Sequence, residues 1–178
     1  TLQDMYVRWI IDKNSDMPDI EVPQKTGLKI RIGTVGLIPP FNYYEGNNLT
    51  GYDIELARRF AAWLGAEVEF KIYDFGGLIA AASTGDIDCI IADLNITPER
   101  TEKIDYSDVL FTEENAVMVK DDPAGYSSIS DLRGKRIGVQ TGTRSPEIAK
   151  KFVPDAKLVY HDSPADNLIA LRTGKIDA

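Results

Sequence analysis

Apolar side chains at mixed spacing over Met5 to Ile11 predict a short amphipathic helix, and Asn14 to Gly27, punctuated by Pro18, Pro23 and Gly27, reads as an extended linker. The pattern then changes. Leu28, Ile30 and Ile32 alternate with polar residues and lead into Val35, which is a strand signal that Pro39-Pro40 ends. Glu45 to Gly51 is a polar turn, and Ile54, Ala57, Phe60, Ala61 and Leu64 recur at helical spacing with Asp53 placed as N-cap. A strand over Val68 to Ile72, an apolar helix from Phe75 to Ser83 closed by Gly85, and a buried strand over Asp88 to Ala92 complete a β-α-β-α-β order. That order favours a mostly parallel sheet with helices on both faces.

The same pattern restarts after Asp105. Ala116 to Val119 reads as a strand, Asp121 to Ser128 as a loop, and Ser130 to Leu132 as a helical turn. Lys135 to Val139 (strand), Ser145 to Phe152 (helix), Lys157 to Tyr160 (strand) and Ser163 to Thr173 (helix) then form a second α/β unit. A further strand is expected where the chain closes, after Gly174-Lys175-Ile176-Asp177. Two such units make a cleft, and open α/β sheets take ligands at the carboxyl ends of their strands.

Composition narrows the chemistry. A formal net charge of −8 argues against nucleic acid or an anionic membrane as the main partner. Basic pairs such as Arg58-Arg59 and Lys150-Lys151 read as solvated helix faces. The single cysteine, Cys89, excludes an internal disulfide and a multi-cysteine metal site, and it reads as a buried structural thiol. The single histidine, His161, excludes a histidine-rich zinc centre, so neither a metal nor another cofactor is expected. No apolar run approaches the roughly 20 residues of a membrane span.

Several stretches, in order, resemble the polar amino-acid receptors among bacterial extracellular solute-binding proteins of family 3. They are Pro40-Phe41, GYDIELA from Gly51, LGAEVEF, YDFGGLI, GDIDCIIADLNITPERTEKIDYSD, DLRGKRIGVQTGT and the closing LRTGKIDA, together covering Leu28 to Ala178. The resemblance implies an α/β, two-lobed periplasmic-binding-protein type 2 architecture with its second lobe incomplete. Residues 1–27 are then an N-terminal helix and linker, 28–112 the first lobe and 113–178 the second. It also implies non-catalytic binding of a small amino acid or related zwitterion in an interlobe cleft for import by an ABC transporter permease. The location is extracytoplasmic, in the periplasm or on the cell surface, where a membrane anchor is compatible with the family. An extracytoplasmic sensing domain joined to a signalling domain is the alternative. A cyclohexadienyl dehydratase-like enzyme is the lesser one, because no acid–base pair is evident for it.

Arg100 is the first candidate contact. It follows the buried strand through Asn95-Ile96-Thr97-Pro98-Glu99, and a guanidinium matches a carboxylate with two parallel hydrogen bonds. In the family it resembles, that arginine holds the ligand α-carboxylate; a surface ion pair with Glu99 or Glu102 is its other use. The resemblance also assigns Asn95 a ligand contact, Ala92 to Leu94 backbone carbonyls for the ligand ammonium, and Phe75 an aromatic face that could equally be core. In the second lobe it assigns Gln140, Thr143 and Arg144, in the loop before the Ser145 helix, to completing the carboxylate site. Backbone N–H groups at a helix start favour an anion there. Four positions depart from the family pattern: Val35, Ile38 in place of a stacking aromatic, Asp93 in place of a small residue, and Arg144 in place of a small or hydroxyl residue. Asp93 and Arg144 are expected to face the cleft from opposite lobes. Met5-Tyr6-Val7-Arg8-Trp9 resembles the closing helix of a preceding module, so the first helix is expected to dock on the first lobe through Met5, Tyr6 and Trp9 rather than fray.

Overall fold

The computed structural model describes residues 1–21, 26–112, 114–121 and 125–178. The chain divides into two compact units, Thr1–Tyr106 and Ser107–Ala178. Each is built on parallel strand pairing.

In the first unit, β1 (Lys29–Thr34) pairs in parallel with β5 (Glu67–Ile72) on one side and β6 (Cys89–Ile90) on the other. Between β1 and β5 run β2 (Leu37–Ile38), β3 (Asn42–Glu45) and β4 (Asn48–Thr50), a small antiparallel sheet, and then α2 (Tyr52–Leu64). The polar turn expected over Glu45 to Gly51 is therefore mostly a hairpin. Its strands are too short and too polar to show an apolar alternation. Asp53 is not the N-cap: that position is Gly51, at φ 123°, where an added Cβ would lie 2.1 Å from the Phe41 carbonyl oxygen. Only glycine fits there. The Tyr52 and Asp53 amides donate to the carbonyls of Pro40 and Phe41 at 3.0 and 2.8 Å, so the helix start is capped by the loop itself. That releases the buried Asp53 carboxylate to accept from Asn42 Nδ2 at 2.7 Å.

A single 3₁₀ turn (Phe75–Gly77) leads into α3 (Leu78–Thr84), which Gly85 closes in the left-handed conformation as expected. The strand expected over Asp88 to Ala92 is shortened to Cys89–Ile90, since the chain leaves the ladder before Ala92. Cys89 is only half-buried, but burial still pushes its thiol up to about 11.

The N-terminal segment is α1 (Leu2–Tyr6) continued by a π-helical turn over Val7–Ile11. Met5 and Trp9 are buried, Trp9 to 1% exposure, and Tyr6 is half-buried. The Trp9 indole donates to Glu55 Oε2 of α2 at 2.6 Å, and Arg8 ion-pairs with the same oxygen. Arg59 donates to Glu55 Oε1 at 2.9 Å, so this arginine is not a purely solvated one. Glu55 is fully buried, and three donors compensate the charge it carries inside. The segment docks on the first unit, as expected. The linker continues from it, with Val22 to Lys25 lying outside the described residues.

In the second unit, β7 (Arg136–Gln140) pairs in parallel with β8 (Lys157–His161), flanked by a 3₁₀ turn at Ile129–Leu132, α5 (Ser145–Phe152) and α6 (Pro164–Arg172). Ser163 caps α6 by accepting from the Asp166 amide. Leu132, Ile137, Val139, Val153 and Ala156 form the core, with Val119 packed against it. No strand occurs over Ala116 to Val119: Val117 and Met118 are exposed, so the apolar run there is not a buried ladder. Glu113 and, within the expected loop, Asp122 to Ala124 lie outside the described residues.

Candidate functional site

In the first unit the loops at the carboxyl ends of β1, β5 and β6 gather most of the candidate residues. Val35, Phe75, Leu78 and Ala92 form one buried cluster, with Ile38, Tyr73, Ile90 and Leu94 packed against it. Phe75 is thus both core and floor. Its ring lies 5.5 Å below the Arg100 guanidinium, within cation–π range.

Arg100 sits in α4 (Pro98–Thr101), a single turn started by Thr97, whose hydroxyl accepts from the Arg100 amide at 3.3 Å. The proline that follows the cap suits a first helical position, where its missing N–H costs nothing. Arg100 is buried, and its Nη1 donates to the Asn95 carbonyl at 2.9 Å. The same carbonyl accepts from the Tyr106 hydroxyl at 3.2 Å. Burial raises the Tyr106 phenol, and the Arg100 guanidinium opposes that rise. Tyr106 was not legible as a site residue; its only signal is that it stands six positions after Arg100 in the same motif. The Asn95 side chain is exposed, so its backbone oxygen rather than its amide orients Arg100. Asp93 is half-buried at φ 51°, a left-handed conformation that aspartate tolerates better than most residues.

Above β1, a buried relay fixes the turn: the Gly36 amide donates to Asn42 Oδ1 at 2.9 Å, and Asn42 is in turn held by Asp53. Beside it lies a concavity of about 410 Å³ lined by Val35, Gly36, Leu37, Tyr44, Ile72, Tyr73 and Asp74. Tyr44 and Asp74 were not singled out from sequence. They stand 30 positions apart, and only the fold brings them to one place.

In the second unit, Gln140, Thr143 and Ser145 form a self-bonded loop. The Gln140 amide donates to Ser145 Oγ at 2.9 Å, and the Thr143 hydroxyl donates to the Gln140 carbonyl at 2.8 Å. Thr143 Oγ1 also accepts from the Ser145 amide at 3.2 Å, and Pro146 has no N–H, so the start of α5 offers an anion fewer donors than the sequence suggests. Arg144 is exposed, and Gln140 Nε2 donates to the Asp162 carbonyl at 3.2 Å. His161 Nδ1 lies 2.8 Å from Asn167 Oδ1. Among the described residues no group of three or more His, Cys, Asp and Glu could hold a metal, and no helix is long and apolar enough to cross a membrane.

A parallel α/β sheet with a buried guanidinium over an aromatic floor in its strand-end loops belongs to the class of open α/β folds, which take small ligands at that end of the sheet. Residues 30–144 match the bacterial extracellular solute-binding proteins, family 3, and the chain belongs to that family. It is 38% identical over 127 residues to the arginine-binding extracellular protein ArtP of Bacillus subtilis (strain 168), covering 71% of this chain and 49% of that protein. The chain thus spans about half the length of that relative. A solved ancestral arginine-binding protein bound to arginine superimposes with a TM-score of 0.79 at 39% identity, covering 84% of this chain and 67% of that one. The ancestral amino acid-binding protein AncCDT-1, a precursor of cyclohexadienyl dehydratase, gives a TM-score of 0.79 at 36% identity over 84% of this chain and 67% of that one. The fold is that of the type 2 periplasmic binding proteins.

Proposed function

We propose that the protein carrying this chain binds a cationic α-amino acid, arginine foremost, outside the cytoplasm and delivers it to the permease of an ABC-type importer without altering it chemically. The observation that carries this reading is Arg100, buried, oriented by the Asn95 carbonyl and seated 5.5 Å over the Phe75 ring. A guanidinium held in that way is prepared to grip an α-carboxylate without first losing side-chain entropy. In this reading the Ala92 to Leu94 carbonyls receive the ammonium. Asn95, Asp93, Ile38 and, from the second unit, Gln140, Thr143 and Arg144 remain ligand contacts in this reading. The names of the relatives, an arginine-binding extracellular protein and an arginine-bound ancestor, support the ligand class and the location. The similarity to a dehydratase precursor does not favour catalysis, since that precursor is itself described as an amino acid-binding protein.

Titration calorimetry with L-arginine on the full-length protein and its Arg100→Ala variant tests the reading. Leaving a buried ligand charge without its partner costs about 2–5 kcal/mol, roughly 30-fold to several thousand-fold in affinity. Equal affinities for the two proteins would remove Arg100 from the site.

A further inference from the structure

The concavity beside Gly36 lies at the carboxyl ends of two neighbouring parallel strands. Val35 to Leu37 follow β1, and Tyr73 and Asp74 follow β5. Its wall is fixed. The Tyr44 ring packs directly on Gly36, where an added Cβ would come within 3.0 Å of Tyr44 Cε2. Gly36 is itself pinned by Asn42, the Tyr73 amide donates to the Thr34 carbonyl at 3.0 Å, and the Asp74 carbonyl accepts from Gly77 at 2.9 Å. Two phenol rings and one exposed carboxylate therefore border a space of about 410 Å³ whose remaining lining is backbone and aliphatic.

That chemistry selects for one kind of guest. Aromatic faces attract a cation, and a carboxylate matches a planar guanidinium with two hydrogen bonds. A second carboxylate-bearing guest would be repelled by Asp74. The space shares lining residues with the cluster under Arg100. Val35 and Tyr73 belong to the cluster that contains Phe75, Asp74 immediately precedes Phe75, and the Phe75 ring carries Arg100. The two opposite charges, Arg100 and Asp74, are one ring contact and one peptide bond apart. A ligand with an α-carboxylate at one end and a cation at the other offers a partner to each of these two charges.

We propose that this concavity is the subsite for the cationic end of the ligand side chain, with Tyr44 and Tyr73 stacking on it and Asp74 neutralising it. It rests on the amino-acid-binding reading above and adds the residues that set the preference among amino acids.

The experiment is calorimetry on the full-length protein with L-arginine and with L-glutamine, which is polar and of similar reach but uncharged. Asp74→Asn is expected to lower the ratio of arginine to glutamine affinity at least tenfold, whereas Asp74→Glu, which keeps the charge, retains most of it. Tyr44→Leu is expected to lower the ratio severalfold. Asp74 is exposed, so these variants test binding rather than folding. A ratio unchanged in Asp74→Asn, or lost equally in Asp74→Glu, overturns the subsite while an affinity still abolished by Arg100→Ala leaves the amino-acid-binding reading standing. A wild-type protein that binds neither amino acid overturns that reading and the subsite with it.

Discussion

The two units use one device to tie a strand to the helix that returns to it, and they differ in what is added to it. In the first, α3 ends at Thr84-Gly85 and the chain re-enters the sheet through Ile87 and Asp88. In the second, α6 ends at Arg172, Thr173-Gly174 follow, and the chain returns along β7 through Ile176 and Asp177, whose amide donates to the Arg136 carbonyl at 2.8 Å. The Thr84 hydroxyl donates to the carbonyls of Ala80 and Ala81, and the Thr173 hydroxyl donates to those of Ile169 and Ala170. Asp88 receives the Arg31 amide at 2.7 Å and its guanidinium at 2.7 and 3.1 Å. Asp177 receives the Arg136 amide at 2.9 Å and its guanidinium at 2.7 and 3.0 Å. Two residues further along β1 and β7 a glycine, Gly33 or Gly138, makes room for the isoleucine that precedes the aspartate. The difference lies outside this common frame. The first unit carries a helix from before its first strand, docked through a buried carboxylate, and it carries Arg100. The second turns directly from its strand into α5 through a loop of mutually bonded hydroxyls. The common parts answer to folding, and the parts that differ answer to docking and, in the proposed reading, to binding.

The largest break in this comparison comes from the docked helix. Trp9→Ala removes a buried indole and one of the three donors to Glu55. Losses for buried tryptophan are about 3–5 kcal/mol, a large part of a typical domain's stability. Hydrogen exchange read by mass spectrometry should speed up in α2 and β1 and stay unchanged in β7 and β8. Equal acceleration in both units, or none, would count against a seat that serves the first unit alone.

The next effect separates the two glycines. An added Cβ at Gly33 would meet Ile87 Cδ1 at 2.3 Å and Leu78 Cδ2 at 3.1 Å; at Gly138 it would meet Asn167 Oδ1 at 2.3 Å and Ile176 Cδ1 at 2.5 Å. Each alanine substitution is expected to cost about 1–3 kcal/mol by overpacking. Ile→Val deletes the clashing Cδ1, and here the units should part. Ile87→Val relieves Gly33→Ala, because only the milder Leu78 contact remains. Ile176→Val fails to relieve Gly138→Ala, because Asn167, held against His161, still blocks the space. Denaturation midpoints in two double-mutant cycles check this. Equal coupling in the two would show that Asn167 moves aside.

Much of this frame was legible because it is local. Alternation marked β1, the restart of the pattern after Asp105 located β7 and β8, Gly85 marked the end of α3, and Ser163 marked the start of α6. Arg100 was legible through the stretch between the buried strand and its Thr97-Pro98 start. What could not be read depends on partners distant in sequence. Glu55 sits on a helix whose apolar face is already supplied by Ile54, Ala57 and Ala61, and nothing near it says that Trp9 and Arg8 will bury it. Asp53 has the residue type of a cap, but the carbonyls of Pro40 and Phe41 took that role. Val117 and Met118 have strand-like side chains, and no neighbour covers them enough to bury them.

The smallest expected effect, and the most direct test of whether the shared device works alike in both units, is its response to acid. The Arg136 guanidinium and amide hold the Asp177 carboxyl down to about 2, and the Arg31 guanidinium and amide lower Asp88 in the same way. A carboxylate whose pKa is depressed on folding stabilises the fold fully above its unfolded value, near 3.9, and loses that contribution as pH falls through the folded value. Asp177→Asn should therefore lower Tm at pH 6 by no more than about 4 °C, because the pair is partly exposed, and the deficit should close between about pH 4 and pH 2. Asp88→Asn should show the same sign with a smaller amplitude, since the Asp88 side chain is 40% exposed against 24% for Asp177. Parallel melting curves of wild type and both variants from pH 6 to pH 2 measure this. A deficit that persists undiminished at pH 2 would mean that the aspartates act through shape and neutral hydrogen bonds, since protonation leaves those in place while removing the charge.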